Sequence, residues 1–243
     1  MTSYRVVMTR FPTFSRSDGV KQLLVPVPRC RLCYKPIKKQ YEGGTCYSCG
    51  IEPAVDGTIL KRIVAATLYI PKVSGYAHNS ELLRLKEQGA LANEYAEVLE
   101  HVLQEEKIIS KFGLIVPVPP TRPRSSLAGP YALARALSAR VGIRYQEALS
   151  FTREVRTQKG LSAEERRKNV TGAMKATGVV SGQACLAVDD ICTTGSSLRE
   201  AARAIVEAGG RWAYGAAAGR DADLEGLAFA GVLEPVKEAE EQS

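Results

Sequence analysis

The sequence predicts an α/β fold, a mainly parallel sheet flanked by helices, with a small four-cysteine module ahead of it. Three observations carry that prediction. Strand-like and helix-like segments alternate from residue 57 to about residue 219. An apolar strand at 183–189 runs into two aspartates, a turn of Thr, Gly and Ser, and then a helix. Two Cys-x2-Cys pairs stand twelve residues apart near the N-terminus.

Residues 1–27 form an extension, 28–56 the cysteine module, 57–233 the α/β region and 234–243 an acidic tail expected to fray. Residues 57–70 are rich in β-branched side chains and predict a strand. Residues 79–106 predict a helix in two pieces split at Gly89. Leu82, Leu83 and Leu85 open its apolar face, and Tyr95, Val98, Leu99 and Val102 extend it at helical spacing. Residues 113–118 predict a short strand ending in prolines. Residues 126–141 predict a helix, 144–151 a strand, and 153–170 a long loop or short helix. Strand 183–189 follows, then a helix at 196–208 closed by Gly209-Gly210, then a strand at 211–219.

Lys and Arg outnumber Asp and Glu by 33 to 26. Residues 1–63 hold 11 basic and 4 acidic residues, so the whole surplus belongs to the N-terminal part. Such a surplus suits contact with a polyanion, and equally a solvated lysine-rich surface. No apolar run reaches the roughly 20 residues of a membrane-spanning helix. The first residues carry no apolar stretch of secretory-signal length, so the expected location is the cytoplasm.

Cys30 and Cys33, with Cys46 and Cys49, have the spacing of a tetrahedral all-thiolate zinc site. Two disulfides are the competing reading, and cytosolic reduction argues against them. Four thiolates leave no open coordination position, so the expected zinc is structural. Arg31, Lys35, Lys38 and Lys39 offset part of its negative charge. Cys185 is expected in the core. Cys192 falls inside the main motif, where a reactive thiol is the alternative to a buried one.

That motif runs from Leu186 through Asp189, Asp190, Thr193, Thr194, Gly195, Ser196 and Ser197 to Leu198. Backbone N–H groups at such a turn and helix start converge on an anion. Gly195 permits close approach, and the hydroxyls of Thr193, Thr194, Ser196 and Ser197 add donors. No lysine follows the turn, so a nucleoside triphosphate P-loop is excluded. A helix cap explains Ser196 but not two aspartates ending an apolar strand. Paired carboxylates beside a phosphate cradle suit a sugar phosphate, accepting from vicinal hydroxyls or holding a hydrated Mg²⁺.

The stretch VDDICTTGSS resembles the phosphoribosyl pyrophosphate (PRPP) signature of type I phosphoribosyltransferases. Other landmarks are similar to one branch, the ComF family of competence-associated proteins, which joins a four-cysteine zinc module to such a domain. They are Leu85-Lys86-Glu-Gln-Gly89, Val116-Pro117-Val118-Pro119, Arg153 to Gln158, and Arg166 to Asn169. The resemblance implies a type I phosphoribosyltransferase-like sheet and a Mg²⁺-dependent transfer from PRPP. Asp189 and Asp190 would hold the ribose hydroxyls and Mg²⁺, and Thr193 to Ser197 the 5′-phosphate. Arg122 and Arg124 would stand near the pyrophosphate, and Lys86 would contact PRPP, a helix-surface lysine being its alternative. Arg153, Arg156, Gln158 and Arg166 would belong to a segment closing over the ligand. Where the family carries Arg-Gly-Phe-Asn-Gln after its Pro-Val-Pro strand, this chain reads Thr121-Arg-Pro-Arg-Ser-Ser-Leu-Ala-Gly129. Turnover then depends on Arg122 and Arg124 serving from a reshaped loop.

Two functions of different class follow. One is a phosphoribosyltransferase with a nucleobase or nucleotide acceptor, tied to nucleotide metabolism or to DNA uptake and its machinery. The other is a binding module in which the basic knuckle and the phosphate turn grip single-stranded DNA or a nucleotide. A ligand-sensing regulator on the same fold is a third. His78 and His101 read as packing or surface residues.

Overall fold

The structure, a computed structural model, describes residues 4–7, 11–37, 43–46, 49, 59–71, 73, 76–121, 129–155, 165, 169–222, 224–229 and 233–235. In chain order the elements are β1 (Tyr4–Val6), β2 (Thr13–Ser15), β3 (Lys21–Leu23), β4 (Leu60–Tyr69), α1 (His78–Gln88) and α2 (Ala92–Glu105). Next come β5 (Leu114–Pro117), α3 (Gly129–Val141), β6 (Arg144–Tyr145), β7 (Leu149–Phe151) and β8 (Met174–Ala176). β9 (Ala184–Cys192), α4 (Ser196–Glu207), β10 (Trp212–Asp221), α5 (Leu224–Phe229) and β11 (Leu233–Pro235) complete the chain.

Five strands form a wholly parallel sheet in the order β4-β10-β9-β5-β6. This is the predicted fold class, and strand alternation sorts its two faces. Leu186, Val188, Ala216 and Ala218 pack under α1, α2 and α3 with Leu82, Leu99 and Leu133. Cys185, Ala187, Ala213 and Ala217 pack under α4 with Leu198, Ala201 and Ile205. The cysteine module lies on this second face, since Cys30, Cys33, Ile37 and Cys49 join the same cluster. Small residues in β10 let the helices approach closely. A Cβ on Gly219 would stand 2.7 Å from Leu82 Cδ1.

β4 is an edge strand, yet Ile63, Val64, Ala65 and Ala66 are fully buried. The module covers that edge, with Ile63 N donating to Leu32 O at 2.9 Å. This is why residues 63–66 are apolar without the alternation of an exposed edge. The other edge, β6, is only two residues long. The β2–β3 hairpin straps α1 from the first face. There the His78 ring accepts from Leu23 N at Nε2 (3.2 Å), and its Nδ1 meets Glu81 Oε2 at 2.8 Å. His78 is therefore a packing residue with its proton on Nδ1. His101 stacks on Phe14.

Three elements depart from the sequence reading. The strand expected at 144–151 is two strands, β6 in the main sheet and β7 paired antiparallel with β8. Gln146 N donates to Ile115 O, but the next rung would need an N–H from Pro117, which has none. The strand expected at 183–189 continues to Cys192, so both aspartates lie inside it. Glu234 and Pro235, assigned to a fraying tail, pair with Arg5 and Tyr4 in an antiparallel ladder. Residues 236–243, and most of 156–168, lie outside the described residues. No helix among the described residues is long and apolar enough to cross a membrane.

Candidate phosphate-binding site and four-cysteine centre

Chain direction across the sheet reverses between β5 and β9. β5 leads through α3 to β6 on one side, and β9 leads through α4 to β10 on the other. Ligands of open parallel sheets bind at the carboxyl ends of strands flanking such a reversal. Here β9 outruns its neighbour. Its pairing with β5 ends at Pro117–Val188, with Val118 N donating to Val188 O at 2.8 Å. Asp189 to Cys192 continue against β10 alone, opposite Ala217 to Arg220. That overhang carries the acidic pair, Asp189 half-buried and Asp190 buried.

Each carboxylate accepts from the main-chain N–H of the residue that follows it. Asp190 N donates to Asp189 Oδ1 at 2.8 Å, and Ile191 N donates to Asp190 Oδ1 at 2.6 Å. Asp190 is buried against the α1–α3 face. Lys86, in the last turn of α1, brings its Nζ within 3.6 Å of Asp190 Oδ1. Gly129 opens α3 at φ +54°, and a Cβ there would stand 3.1 Å from Asp190 Oδ2 and 3.3 Å from the Lys86 carbonyl. Only glycine suits both the backbone and the space. Burial, and then the neighbouring Asp190 charge, push the Asp189 carboxyl up to about 7. Lys86 pulls the other way without cancelling them.

The turn after β9 holds only Thr193, Thr194 and Gly195 before α4 begins. Gly195 caps the helix at φ +79°. Thr194 Oγ1 lies 2.7 Å from Ser196 Oγ and accepts from Ser196 N at 3.3 Å. The first turn of α4 carries no acidic side chain to compete with an arriving anion. Ser196 is buried, while Thr193, Thr194 and Ser197 are half-buried. The expected phosphate residues Thr193 to Ser197 are thus together, adjoining Asp189, Asp190 and Lys86.

β7 and β8 stand beside α4. Glu200 Oε1 accepts from Met174 N at 2.8 Å, and Arg203 donates to the Met174 carbonyl at 2.7 Å. Sequence reasoning missed these two residues, because they read as an ordinary i,i+3 pair on a helix surface. Arg153 is exposed just past β7 and donates to the Thr171 carbonyl at 3.1 Å. Arg122, Arg124, Arg156, Gln158 and Arg166 lie outside the described residues.

The four sulfurs of Cys30, Cys33, Cys46 and Cys49 all lie within 4.8 Å of one another. Cys33 and Cys46 are 3.6 Å apart. A tetrahedral zinc with Zn–S near 2.3 Å has S···S edges of about 3.8 Å, so the donor set fits that ion. Hydrogen bonds from Cys33 and then from Cys46 and Cys49 pull the Cys30 thiol down, while the same contacts push Cys46 and Cys49 up. Cys33 is also pulled down, to about 6, so two thiolates are favoured and the other two are resisted until a cation arrives. Cys185 and Cys192 differ, since burial pushes them up to about 12 and about 11. Cys192 is buried and mostly protonated, which disfavours the reactive-thiol reading.

One residue in this region had no role in the sequence reading. Arg220, at the end of β10, is buried and reaches both centres. Its Nε donates to the Cys33 carbonyl at 2.7 Å. Its Nη1 donates to the Cys192 carbonyl at 2.6 Å and also to the Thr193 carbonyl. The available signal was a lone arginine closing the run Gly215-Ala-Ala-Ala-Gly219.

Residues 126–213 match the phosphoribosyl transferase domain family. The match takes in α3, β9, the turn and α4, and stops short of Arg220. No curated protein matches the chain. Two solved structures are similar over 52% of this chain at 23% identity. One is described as the allosteric regulatory enzyme of purine biosynthesis, with a TM-score of 0.36. The other is glutamine PRPP amidotransferase from B. subtilis complexed with ADP and GMP, with a TM-score of 0.35. The aligned part is about a quarter of the length of each, 25% and 26%.

Proposed function

We propose that this chain is a PRPP-binding, Mg²⁺-dependent phosphoribosyltransferase-like protein of the ComF type, acting in the cytoplasm in nucleotide metabolism or DNA uptake. The observation that carries the reading is the overhang of β9 at the sheet reversal. It brings an acidic pair, a glycine-capped anion turn and a lysine to one strand end. The phosphoribosyl transferase domain match spans that same strand and turn. In this reading residues 28–56 are a zinc module, 57–233 the transferase region, and 1–27 and 234–243 its extensions.

The 5′-phosphate takes the Thr193–Ser197 turn, where backbone N–H groups and the α4 dipole meet its charge. Asp189 and Asp190 accept from the ribose hydroxyls. A carboxyl held at about 7 by burial and then by a like neighbour gains most from a cation or donors arriving there. Mg²⁺ bound with PRPP would neutralise part of the pyrophosphate charge, and this carboxylate pair is the group that would hold its hydration shell. In this reading Lys86 contacts PRPP, and the charges of Arg122 and Arg124 serve the leaving pyrophosphate. Arg153, Gln158 and Arg166 close over the ligand and exclude water. The C1–O bond to pyrophosphate breaks as a nucleobase nitrogen bonds C1, so the chain's work is positioning and charge stabilisation.

Calorimetric titration of the zinc-loaded chain with PRPP, with and without Mg²⁺, tests this. Mg²⁺-dependent binding is expected, weakened roughly 100-fold in Asp189→Asn/Asp190→Asn through loss of charged acceptors. Absence of binding by the folded wild type would reject the reading and favour a nucleic-acid-binding role.

A further inference from the structure

Arg220 is a buried cation whose hydrogen bonds are to main-chain oxygens of two separate centres. Its Nε bonds the carbonyl of Cys33, a member of the four-cysteine centre. Its Nη1 bonds the carbonyls of Cys192 and Thr193, where β9 turns toward α4. A fixed fork of donors holds several acceptors in one geometry only if all of them are in place. From these contacts we infer that Arg220 is a positioning residue through which metal occupancy of the cysteine centre sets the anion affinity of the Thr193–Ser197 turn.

The peptide plane supplies the coupling. A trans peptide holds its C=O and N–H antiparallel. With the Thr193 carbonyl drawn to Arg220, the Thr194 N–H in the same plane points away from it, out of the core. An anion turn needs its N–H groups outward and its carbonyls held back. Arg220 provides the second condition, and the Cys33 carbonyl with the negative tetrathiolate centre anchors Arg220. Without metal, small thiolate modules of this kind unfold. Arg220 then loses one acceptor and its nearest concentration of negative charge, and a buried guanidinium left so must shift. The two turn carbonyls are freed with it.

This inference deepens the reading that the turn takes the PRPP phosphate, and the experiment separates the two. PRPP affinity is measured on the full chain, zinc-loaded and metal-free, and then on Arg220→Lys. Metal-free wild type should bind at least about tenfold more weakly, about 1.4 kcal/mol. By linkage, saturating PRPP should tighten cobalt(II) binding by the same factor, followed through the visible absorption of the thiolate complex. Arg220→Lys keeps the charge but loses the fork. It should show an unaltered cobalt spectrum, PRPP affinity down about tenfold, and a coupling factor near one. A role limited to folding would move the spectrum as well. Equal PRPP affinity with and without metal would overturn the inference, as would full coupling in Arg220→Lys. If that variant does not fold, the wild-type pair decides. If zinc-loaded wild type binds no PRPP, the functional reading falls, and hydrogen exchange at 193–197 decides the coupling. Faster exchange there on metal removal, with β10 still protected, supports it; unchanged exchange overturns it.

Discussion

Cys30, Cys33, Cys46 and Cys49 gather their sulfurs within 4.8 Å, whereas Cys185 and Cys192 lie on β9 outside that cluster. Cys30, Cys33 and Cys49 are as buried as the two β9 cysteines. Burial therefore does not separate the two sets; crowding does. Buried outside the sulfur cluster, Cys185 and Cys192 stay protonated and serve as small apolar side chains against Leu198 and Ile205. Crowded, the other four divide: Cys30 and Cys33 are drawn toward thiolate while Cys46 and Cys49 resist, an arrangement that a divalent cation relieves. The acidic pair repeats this physics in oxygen. Asp189 and Asp190 are crowded, and burial with like charge raises Asp189.

The largest effect that would break this comparison is metal removal. Zinc binding to such centres is worth about 10–16 kcal/mol at neutral pH, so chelation should unfold the module. A disulfide reagent should then label the four clustered cysteines and leave Cys185 and Cys192 for full denaturation. Labelling of Cys192 as early as the four would show that crowding is not the distinction. Next in size are single substitutions. Cys33→Ala removes a ligand and should lower cobalt affinity by orders of magnitude, because the remaining set cannot close the tetrahedron. Cys185→Ala removes one sulfur from a packed strand and should cost about 1 kcal/mol in denaturant unfolding, with metal affinity unchanged. Similar losses in both would place the two sets in one class.

Much of this was legible in the sequence, because it rests on local chemistry. Doubled Cys-x2-Cys spacing marked the four-cysteine cluster, and an apolar strand running into two acids and a glycine turn marked the candidate anion site. Both signals lie within about twenty residues of chain. What was hidden depends on partners far apart. β6 stops at Tyr145 because Pro117, on another strand, lacks the N–H for the next rung. β11 forms because Tyr4–Val6 returns to meet it. Asp190 sits where Lys86 and Gly129, from two helices, converge. Arg220 reaches Cys33 across 187 positions of sequence and Cys192 across 28, a convergence that no periodicity encodes.

The acidic pair can be probed in the same way, with its smallest expected effect at Lys86. Asp189 has a folded pKa of about 7 against an ordinary value of 3.8. Its native form holds the proton more tightly than the unfolded chain does. Its contribution to stability is therefore complete below about 3.8 and is lost as pH rises toward about 7. The ligand-free fold should lose stability across that window, and Asp190→Asn should flatten the loss by removing the like charge. Lys86→Met should steepen it, because the ammonium that opposes the rise is gone. Lys86 is 36% exposed, so solvent screening limits the change to a few tenths of a kcal/mol. Urea unfolding at several pH values between 4 and 7, with Mg²⁺ omitted, reads all three chains. If Asp190→Asn tracks wild type, burial alone raises Asp189, and the carboxylate pair would cease to be a second case of crowding. If it flattens the curve while Lys86→Met steepens it, the two acids resist joint ionisation as the four thiols do. Charge pairing with an incoming cation is then the common basis of both centres.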